Sequence, residues 1–516
     1  MNQPDTKPLS KQQLLAFFAM VVGMFMAILD IQIVASSLSV IAAGLSASSD
    51  ELSWVQTSYL IAEVIIIPIT GFLARLLSTR ISYFIAALGF TIMSVACSFA
   101  WNIESMILFR SLQGFFGGAM IPTVFSTIFM IFSYKERTIV TVIVGLVVTI
   151  APTLGPTLGG YITEIFSWHF MFLLNVIPGI FVCTIVFLYA DFDKPNYKLL
   201  KNFDFIGIAL MTMTLGSLQY VLEEGAKRGW MDDNLLLFLT IVIVGSFIAL
   251  LIHELTCDNP ILDLTAFNNK DFTFGCVYSF VIGIGLYGAV YLLPLFLFIV
   301  AGFNTMQIGL TMMVTGIAQF ASAPIAGKML ASKFDLRIML AIGLGMFGSG
   351  CYLNSFLTPE SKFWEFFVPQ IVRGLSLMFC FIPTNNIALG SMSKDLVQNA
   401  SGLYNLTRNL GGAIGIAVIN TMLTDNTKIF GQYLSENTTY TSPVGIANFE
   451  FLNEILDGKV TDPIKASYFL LKNIIHRDAF IIAINNSFVV ISMLFITSMI
   501  FLPFTSNIKD TSGQAH

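Results

Sequence analysis

The sequence predicts an all-α polytopic membrane protein of fourteen spans, arranged as two six-helix repeats with two further helices between them. Three observations predict it: the composition, a series of long apolar runs, and three motif pairs that recur at nearly constant spacing. Of 516 residues, 56% are hydrophobic and 11% charged, with a mean hydropathy of +0.80. Soluble domains carry about 25% charged residues, so a soluble enzyme of this length is excluded. The apolar runs are continuous rather than alternating, which selects helices that satisfy their own backbone in lipid over a β-barrel.

In chain order the runs fall at 14–38, 52–73, 81–100, 104–131, 138–162, 170–190, 203–222, 235–252, 272–300, 306–330, 338–357, 364–391, 398–422 and 480–503. Each approaches or exceeds the ~20 residues that cross about 30 Å of hydrocarbon. The first follows Lys11 and precedes the small residues Ala42, Ala43 and Gly44, yet it is far longer than a signal-peptide core and is kept as a span. One side of the membrane collects Lys7, Lys11, Arg75, Arg80, Lys135, Arg137, Lys194, Lys198, Lys201, Lys270, Lys328, Lys333, Arg337, Lys394 and Lys509. The short loops opposite carry only Lys227, Arg228 and Lys362. By the positive-inside rule, both termini are expected in the cytoplasm.

The repeat shows in motifs. Pro68-Ile69-Thr70-Gly71 in the second run matches Pro324-Ile325-Ala326-Gly327 in the tenth. Arg110-Ser111-Leu112 with Ile121-Pro122 matches Arg373-Gly374-Leu375 with Ile382-Pro383, and Leu158-Gly159-Gly160 matches Leu410-Gly411-Gly412. The offsets, 256, 263 and 252 residues, are nearly constant, so runs 1–6 and 9–14 form the halves and runs 7 and 8 an insert. Two parallel repeats with a site at their midplane interface are the architecture of a rocking transporter.

A formal net charge of -5 without blocks of like charge offers no nucleic-acid surface. The six cysteines are scattered, mostly in apolar runs, without a CxxC pair, and the four histidines read as isolated; neither a disulfide nor a metal site is expected.

Several segments resemble the major facilitator superfamily, and within it the fourteen-helix drug:proton antiporter family of EmrB/QacA type. The most specific is Ala151-Pro152-Thr153-Leu154-Gly155-Pro156-Thr157-Leu158-Gly159-Gly160, similar to the glycine/proline antiporter motif of the fifth helix. Leu29-Asp30-Ile31-Gln32, Phe109-Arg110-Ser111-Leu112-Gln113-Gly114, Trp168-His169-Phe170-Met171-Phe172-Leu173-Leu174-Asn175-Val176 and Asn405-Leu406-Thr407-Arg408-Asn409-Leu410-Gly411-Gly412 also fit. The loop after the second helix departs from the family pattern, with Arg75 at the usual Asp and Ser78 at the usual Gly. The resemblance implies a major facilitator fold in a bacterial inner membrane, and a proton-coupled multidrug efflux antiporter that exports lipophilic small molecules by alternating access. It implies no cofactor beyond the proton gradient, and it implies a periplasmic membrane-fusion adaptor and an outer-membrane channel as partners. The organisation expected is a six-helix bundle at 1–195, inserted helices with linkers at 196–268, and a second bundle at 269–516 carrying a periplasmic loop at 424–479.

Charges inside the spans are Asp30, Glu63, Arg110, Arg373 and Arg408. Each costs about 2.5–3.5 kcal/mol at the bilayer centre on insertion scales, so they are functional candidates facing a cavity or each other. Asp30 and Arg110 fall at similar depth and are assigned to proton coupling with Glu63; the alternatives are a static ion pair and a protonated Glu63 acting as a simple donor. Arginine does not deprotonate, so Arg373 and Arg408 join Gln113, Gln319, Asn405 and Asn409 as polar cavity candidates. Gly155, Pro156, Gly159 and Gly160 allow a helix to bend and pack closely. Phe115, Phe116, Tyr287, Tyr291 and Phe320 either line a drug pocket or pack in the core or against lipid.

No Walker A loop, triad or zinc motif is present, which argues against an ATP-driven pump and against an enzyme. Exporters of weak acids, bile salts or fatty acids on the same scaffold remain an alternative, because three arginines outnumber two carboxylates in the spans. A non-transporting receptor or lipid-modifying enzyme would need a soluble domain or a catalytic cluster. Residues 424–479 are expected to form short amphipathic helices that either dock the adaptor or pack on themselves as a lid, and Glu223, Glu224, Lys227 and Arg228 to be a solvated cluster in an external loop.

Overall fold

A computed structural model describes residues 10–505, except 36, 203, 258–259, 333, 394–395, 438–442, 458 and 461. Of the basic residues used for orientation, Lys7, Lys333, Lys394 and Lys509 therefore lie outside the described residues. The first unit comprises α1 (Lys11–Ala35), α2 (Leu38–Leu45), α3 (Ser49–Leu77), α4 (Thr79–Ser98), α5 (Ile103–Ile131), α6 (Tyr134–Ile165), α7 (His169–Leu173) and α8 (Val176–Tyr189). Next come α9 (Phe205–Arg228) and α10 (Asn234–Thr256). The last part holds α11 (Lys270–Ile299), α12 (Thr305–Ala331), α13 (Leu336–Leu353), α14 (Phe363–Gly390), α15 (Val397–Asn437), α16 (Pro443–Leu456) and α17 (Pro463–Ser498). No strand occurs among the described residues.

Polar caps start the long helices where the apolar runs begin. Ser48 and Glu51 form a reciprocal capping box at α3, as do Asn304 and Gln307 at α12. Each such cap contributes about 1 kcal/mol. Pro68 and Pro324, and Pro122 and Pro383, lie within α3, α12, α5 and α14, the places at which the repeat pairs them. The same repeat maps α3 onto α12 and α6 onto α15, and the halves meet through α3 against α15 and α6 against α12. An approximate two-fold relation exchanges these two contacts.

Small residues set how closely these pairs approach. A Cβ on Gly309 would lie 2.5 Å from Thr157 Oγ1, and one on Gly327 would lie 3.3 Å from Val142 Cγ2, so α6 and α12 run together over most of their length. At the basic end, the one rich in Lys and Arg, a Cβ on Gly71 would lie 2.6 Å from the Gln398 carbonyl oxygen and one on Gly402 would lie 3.1 Å from that of Ile67. Ser401 donates to the Pro122 carbonyl at 2.7 Å, and Arg75 Nη2 to Asn399 Oδ1 at 3.1 Å. The halves are closed against each other there. Asp193, just past α8, accepts from the backbone and hydroxyl of Thr79, both at 2.9 Å, and burial raises its carboxyl above the ordinary range.

α9 packs on α3 and α15, while α10 packs on α9 and turns Phe238, Ile241, Val244, Phe247 and Ile248 outward. The turn between them uses Gly229 in the left-handed region at φ 74°. It is pinned by Trp230 Nε1, which donates to Thr421 Oγ1 of α15 at 3.0 Å.

Several details differ from the sequence reading. Thirteen helices among the described residues are long and apolar enough to cross a membrane. The expected span at 398–422 lies in α15, whose interior Asn399, Asn405 and Arg408 lower its hydropathy. The segment 424–479 is not a loop of short helices: α15 runs on to Asn437, α17 starts at Pro463, and only α16 is short. Glu223, Glu224, Lys227 and Arg228 are not in a loop but in the last turns of α9, and Glu224 is buried, held by Lys227 at 3.2 Å and Arg228 at 3.5 Å. The cations give it enough compensation to leave water, and their position at the helix C-terminus also suits the helix dipole.

Candidate functional site

Asp30, near the far end of α1, is the hub of a dry polar network. Arg110 Nη1 of α5 donates to its Oδ2 at 2.5 Å, with both side chains at most 1% exposed. Asn175 Nδ2 donates to its Oδ1 at 2.7 Å and Gln113 Nε2 at 3.2 Å. Gln113 also accepts from Arg110 at 2.7 Å and donates to Ser94 Oγ of α4 at 2.8 Å. Arg110 Nε donates to the Val55 carbonyl at 3.2 Å, and its guanidinium lies 4.3 Å from the centre of the Tyr59 ring. α1, α3, α4, α5 and the α7–α8 junction are thereby joined through one buried charge pair, which is expensive to bury and still more expensive to break.

Asn175 and Ser94 were not singled out from the sequence. Asn175 sits where the sixth run breaks between α7 and α8, and its lone amide in an apolar run ahead of Pro178 was the available signal. Ser94 carried none, because serines are common in membrane helices.

Glu63 lies apart from this network, on α3 where the two halves meet. It is 3% exposed. Asn409 Nδ2 of α15 reaches its Oε1 at 3.4 Å, and the charges of Arg408 and Arg110 both act on it. Arg408 Nη2 donates to Asn405 Oδ1 at 2.5 Å, and its guanidinium lies 5.6 Å from the Phe125 ring of the first half and 5.4 Å from the Phe381 ring of the second. Glu63, Asn405, Arg408 and Asn409 therefore form one polar group at the interface between the halves.

The other candidates separate. Arg373 Nη1 and Thr315 Oγ1 both donate to Gln370 Oε1 at 3.0 Å, inside the second half. Gln319 is fully buried on α12, with both side-chain polar atoms unpaired among the described residues. Gly155 brings α6 onto α1, where a Cβ would lie 2.3 Å from Gln32 Cβ. Pro156, Gly159 and Gly160 are buried in the same helix. Phe115 and Phe320 are exposed at 40% and 62%, on the outside of the bundle, whereas the Tyr291 hydroxyl bonds Asn420 Oδ1 of α15 at 3.3 Å.

A two-fold bundle of membrane helices with buried charges at and beside its internal interface, and no catalytic cluster among the described residues, is the architecture of a secondary transporter. Residues 20–416 match the family model described as the Major Facilitator Superfamily. The chain is similar to the colistin resistance protein EmrB of Acinetobacter baumannii, with 43% identity over 79% of each chain. It is also similar to the multidrug export protein EmrB of Escherichia coli, with 30% identity over 85% of each. Among solved structures, the proton:xylose symporter XylE superposes with a TM-score of 0.60 at 13% identity, over 95% of this chain and 94% of that one, which shows the shared fold. The chain belongs to the Major Facilitator Superfamily, among its EmrB-type members, and is a transporter rather than an enzyme.

Proposed function

We propose that this transporter is a proton-coupled exporter of lipophilic small molecules, alternating access across a bacterial inner membrane with fourteen crossings and both termini in the cytoplasm. The names of its relatives, which speak of colistin resistance and multidrug export, support drug efflux. The observation that carries proton coupling is the Asp30–Arg110 pair at 2.5 Å, buried away from water and tied through its polar partners to α1, α3, α4, α5 and the α7–α8 junction. Protonation of Asp30 removes the charge that holds Arg110 and frees those helices to repack. An arrangement whose proton affinity differs between conformations is what antiport requires.

Glu63 is the second, substrate-sensitive carboxyl, placed where the halves part. The units at 1–195 and 269–516 rock about it, and the insert at 196–268 stays peripheral. The extensions of α15 and α17, together with α16, form the periplasmic surface that docks a membrane-fusion adaptor leading to an outer-membrane channel. The test is reconstitution into proteoliposomes with an imposed pH difference. The wild type should concentrate a fluorescent drug, and Asp30→Asn should only equilibrate it.

A second reading, export of weak acids, bile salts or fatty acids, is favoured by Arg373 and Arg408. Their hydrogen-bonded partners among the described residues are amides, and Arg373 Nε and Arg408 Nη1 are buried without partners there. Competition by anionic against cationic compounds in the same assay decides between the two.

A further inference from the structure

At the basic end of the insert, α9 and α10 converge on a set of donor atoms that the transport site does not use. Asp204 caps α9, its Oδ1 accepting from the Gly207 amide at 2.7 Å and lying 2.7 Å from His253 Nε2. His253 lies in the last turn of α10, and Cys257, four residues on, caps that helix in extended backbone, its amide donating to the His253 carbonyl at 2.8 Å. One donor atom each from Asp204, His253 and Cys257 lies within 4.8 Å of the others. The expectation that the histidines are isolated does not hold for His253, because the i, i+4 spacing to Cys257 gains its third member only when α9 folds against α10.

A second observation points to a cation there. Asp204 is 7% exposed and Glu254 5% exposed. Glu254 Oε2 accepts from the Leu262 amide at 3.2 Å, but Glu254 Oε1 and Asp204 Oδ2 are buried without a hydrogen-bond partner among the described residues. Both unpaired oxygens face one point: a Cβ on Gly207 would lie 2.2 Å from Asp204 Oδ2 and 2.9 Å from Glu254 Oε1. Glycine is the residue that leaves this space open. Two buried carboxylates with unpaired oxygens destabilise a fold unless a bound proton or a positive charge compensates them.

We propose that Asp204, His253 and Cys257 bind a divalent transition ion of the zinc type, with the buried Glu254 side chain beside it. Thiolate, imidazole and carboxylate together match zinc, whereas magnesium and calcium take oxygen donors. Donors about 2.0–2.3 Å from a tetrahedral ion lie roughly 3.3–3.8 Å apart, so small side-chain rotations from the present positions complete the site. On binding, the ion replaces the hydrogen bond between His253 Nε2 and Asp204. Thiolate and one carboxylate neutralise its two charges, and Glu254 adds one further negative charge. The role is structural: Asp204 ends the linker from the first unit and Cys257 begins the linker to the second, so one ion staples both chain crossings at the foot of the insert. The charge of Asp263, on the second linker, acts on Arg75 at the closed basic end of α3, so the staple lies beside that closure.

Cobalt(II) is the probe, added to the full-length, chelator-treated protein in detergent. The wild type should bind one ion per chain, giving a sulfur-to-cobalt charge-transfer band with tetrahedral d–d bands, and zinc should erase both. Because Cys97, Cys183, Cys276, Cys351 and Cys380 are buried within helices, the charge-transfer band reports Cys257. Cys257→Ser should lose that band, and His253→Gln should weaken cobalt binding at least tenfold. A chelator should lower the unfolding midpoint of the wild type and leave that of Cys257→Ser unchanged. A wild type without the band at millimolar cobalt, or a band that survives in Cys257→Ser, overturns the proposal. If Cys257→Ser fails to fold, unchanged cobalt affinity in His253→Gln overturns it as well.

Discussion

Neutralising Asp30 separates a coupling role from a purely structural one. Asp30→Asn keeps the side-chain shape, but the replacement offers one acceptor oxygen where the carboxylate used two, against Arg110, Asn175 and Gln113. Whichever way the amide turns, its NH2 faces a donor, and Arg110, fully buried, is left without a counter-charge. Breaking a buried pair in this way costs about 3–5 kcal/mol, and replacing both partners recovers much of it. Asp30→Asn should therefore unfold at a clearly lower temperature than the wild type, with Asp30→Asn/Arg110→Gln between the two.

Transport follows different arithmetic. One proton moving down a pH difference of about 1.7 units, the equivalent of 100 mV, supplies about 2.3 kcal/mol, enough for a concentration ratio of about 50 at one proton per substrate. Wild-type proteoliposomes should approach that ratio for a neutral drug. Asp30→Asn and Asp30→Asn/Arg110→Gln should both stay at a ratio of about one, although the double variant regains stability. A double variant that still builds a gradient from the pH difference alone would refute the reasoning and leave Asp30–Arg110 a structural pair, with Glu63 the next carboxyl to test.

Other predictions concern the interface and the ends of the bundle. Glu63→Gln should keep export of neutral compounds and reduce that of cations at least tenfold, read from competition assays in an efflux-deficient strain. Gly71→Val places methyl groups against the Gln398 backbone, so α3 and α15 should part at the basic end; a spin-label distance across them should lengthen, and an unchanged distance counts against that closure. Gly155→Val forces α6 away from Gln32 on α1 and should cost about 1–3 kcal/mol, measured by thermal unfolding. Replacing residues 443–457 with a flexible linker should abolish co-purification with the adaptor while insertion and drug binding persist. At the start of α6, hydrogen bonds from Ser133 hold the Glu136 carboxyl below its ordinary range, so this cap is intact above the usual glutamate value of about 4.3 and is lost as pH falls through the lowered one. Protection of the first-turn amides of α6, taken against the intrinsic exchange rate at each pH, should fall only below that value.

The sequence by itself determined the class of the protein and the approximate position of nearly every span, because the cost of placing a side chain in hydrocarbon is summed residue by residue along the chain. It also exposed the repeat, since Pro68, Pro122 and Gly160 recur with their neighbours, and it marked Asp30, Glu63 and Arg110 as the charges that need a reason to be there. Hydropathy, however, carries no information about how one helix is rotated against another. Only the tertiary structure brought Asn175 and Ser94 to Asp30 and Gln113, set Glu63 against Asn409 across the two halves, and buried Glu224 among cations that the sequence placed in solvent. It also extended α15 and α17 beyond their apolar runs, where helical hydrogen bonding continues without hydrophobic drive. Asp204 and His253, 49 residues apart, meet only because α9 and α10 pack side by side. Polar partnership in a membrane depends on helix phase and crossing, which are settled when the faces of distant segments compete for the same interior.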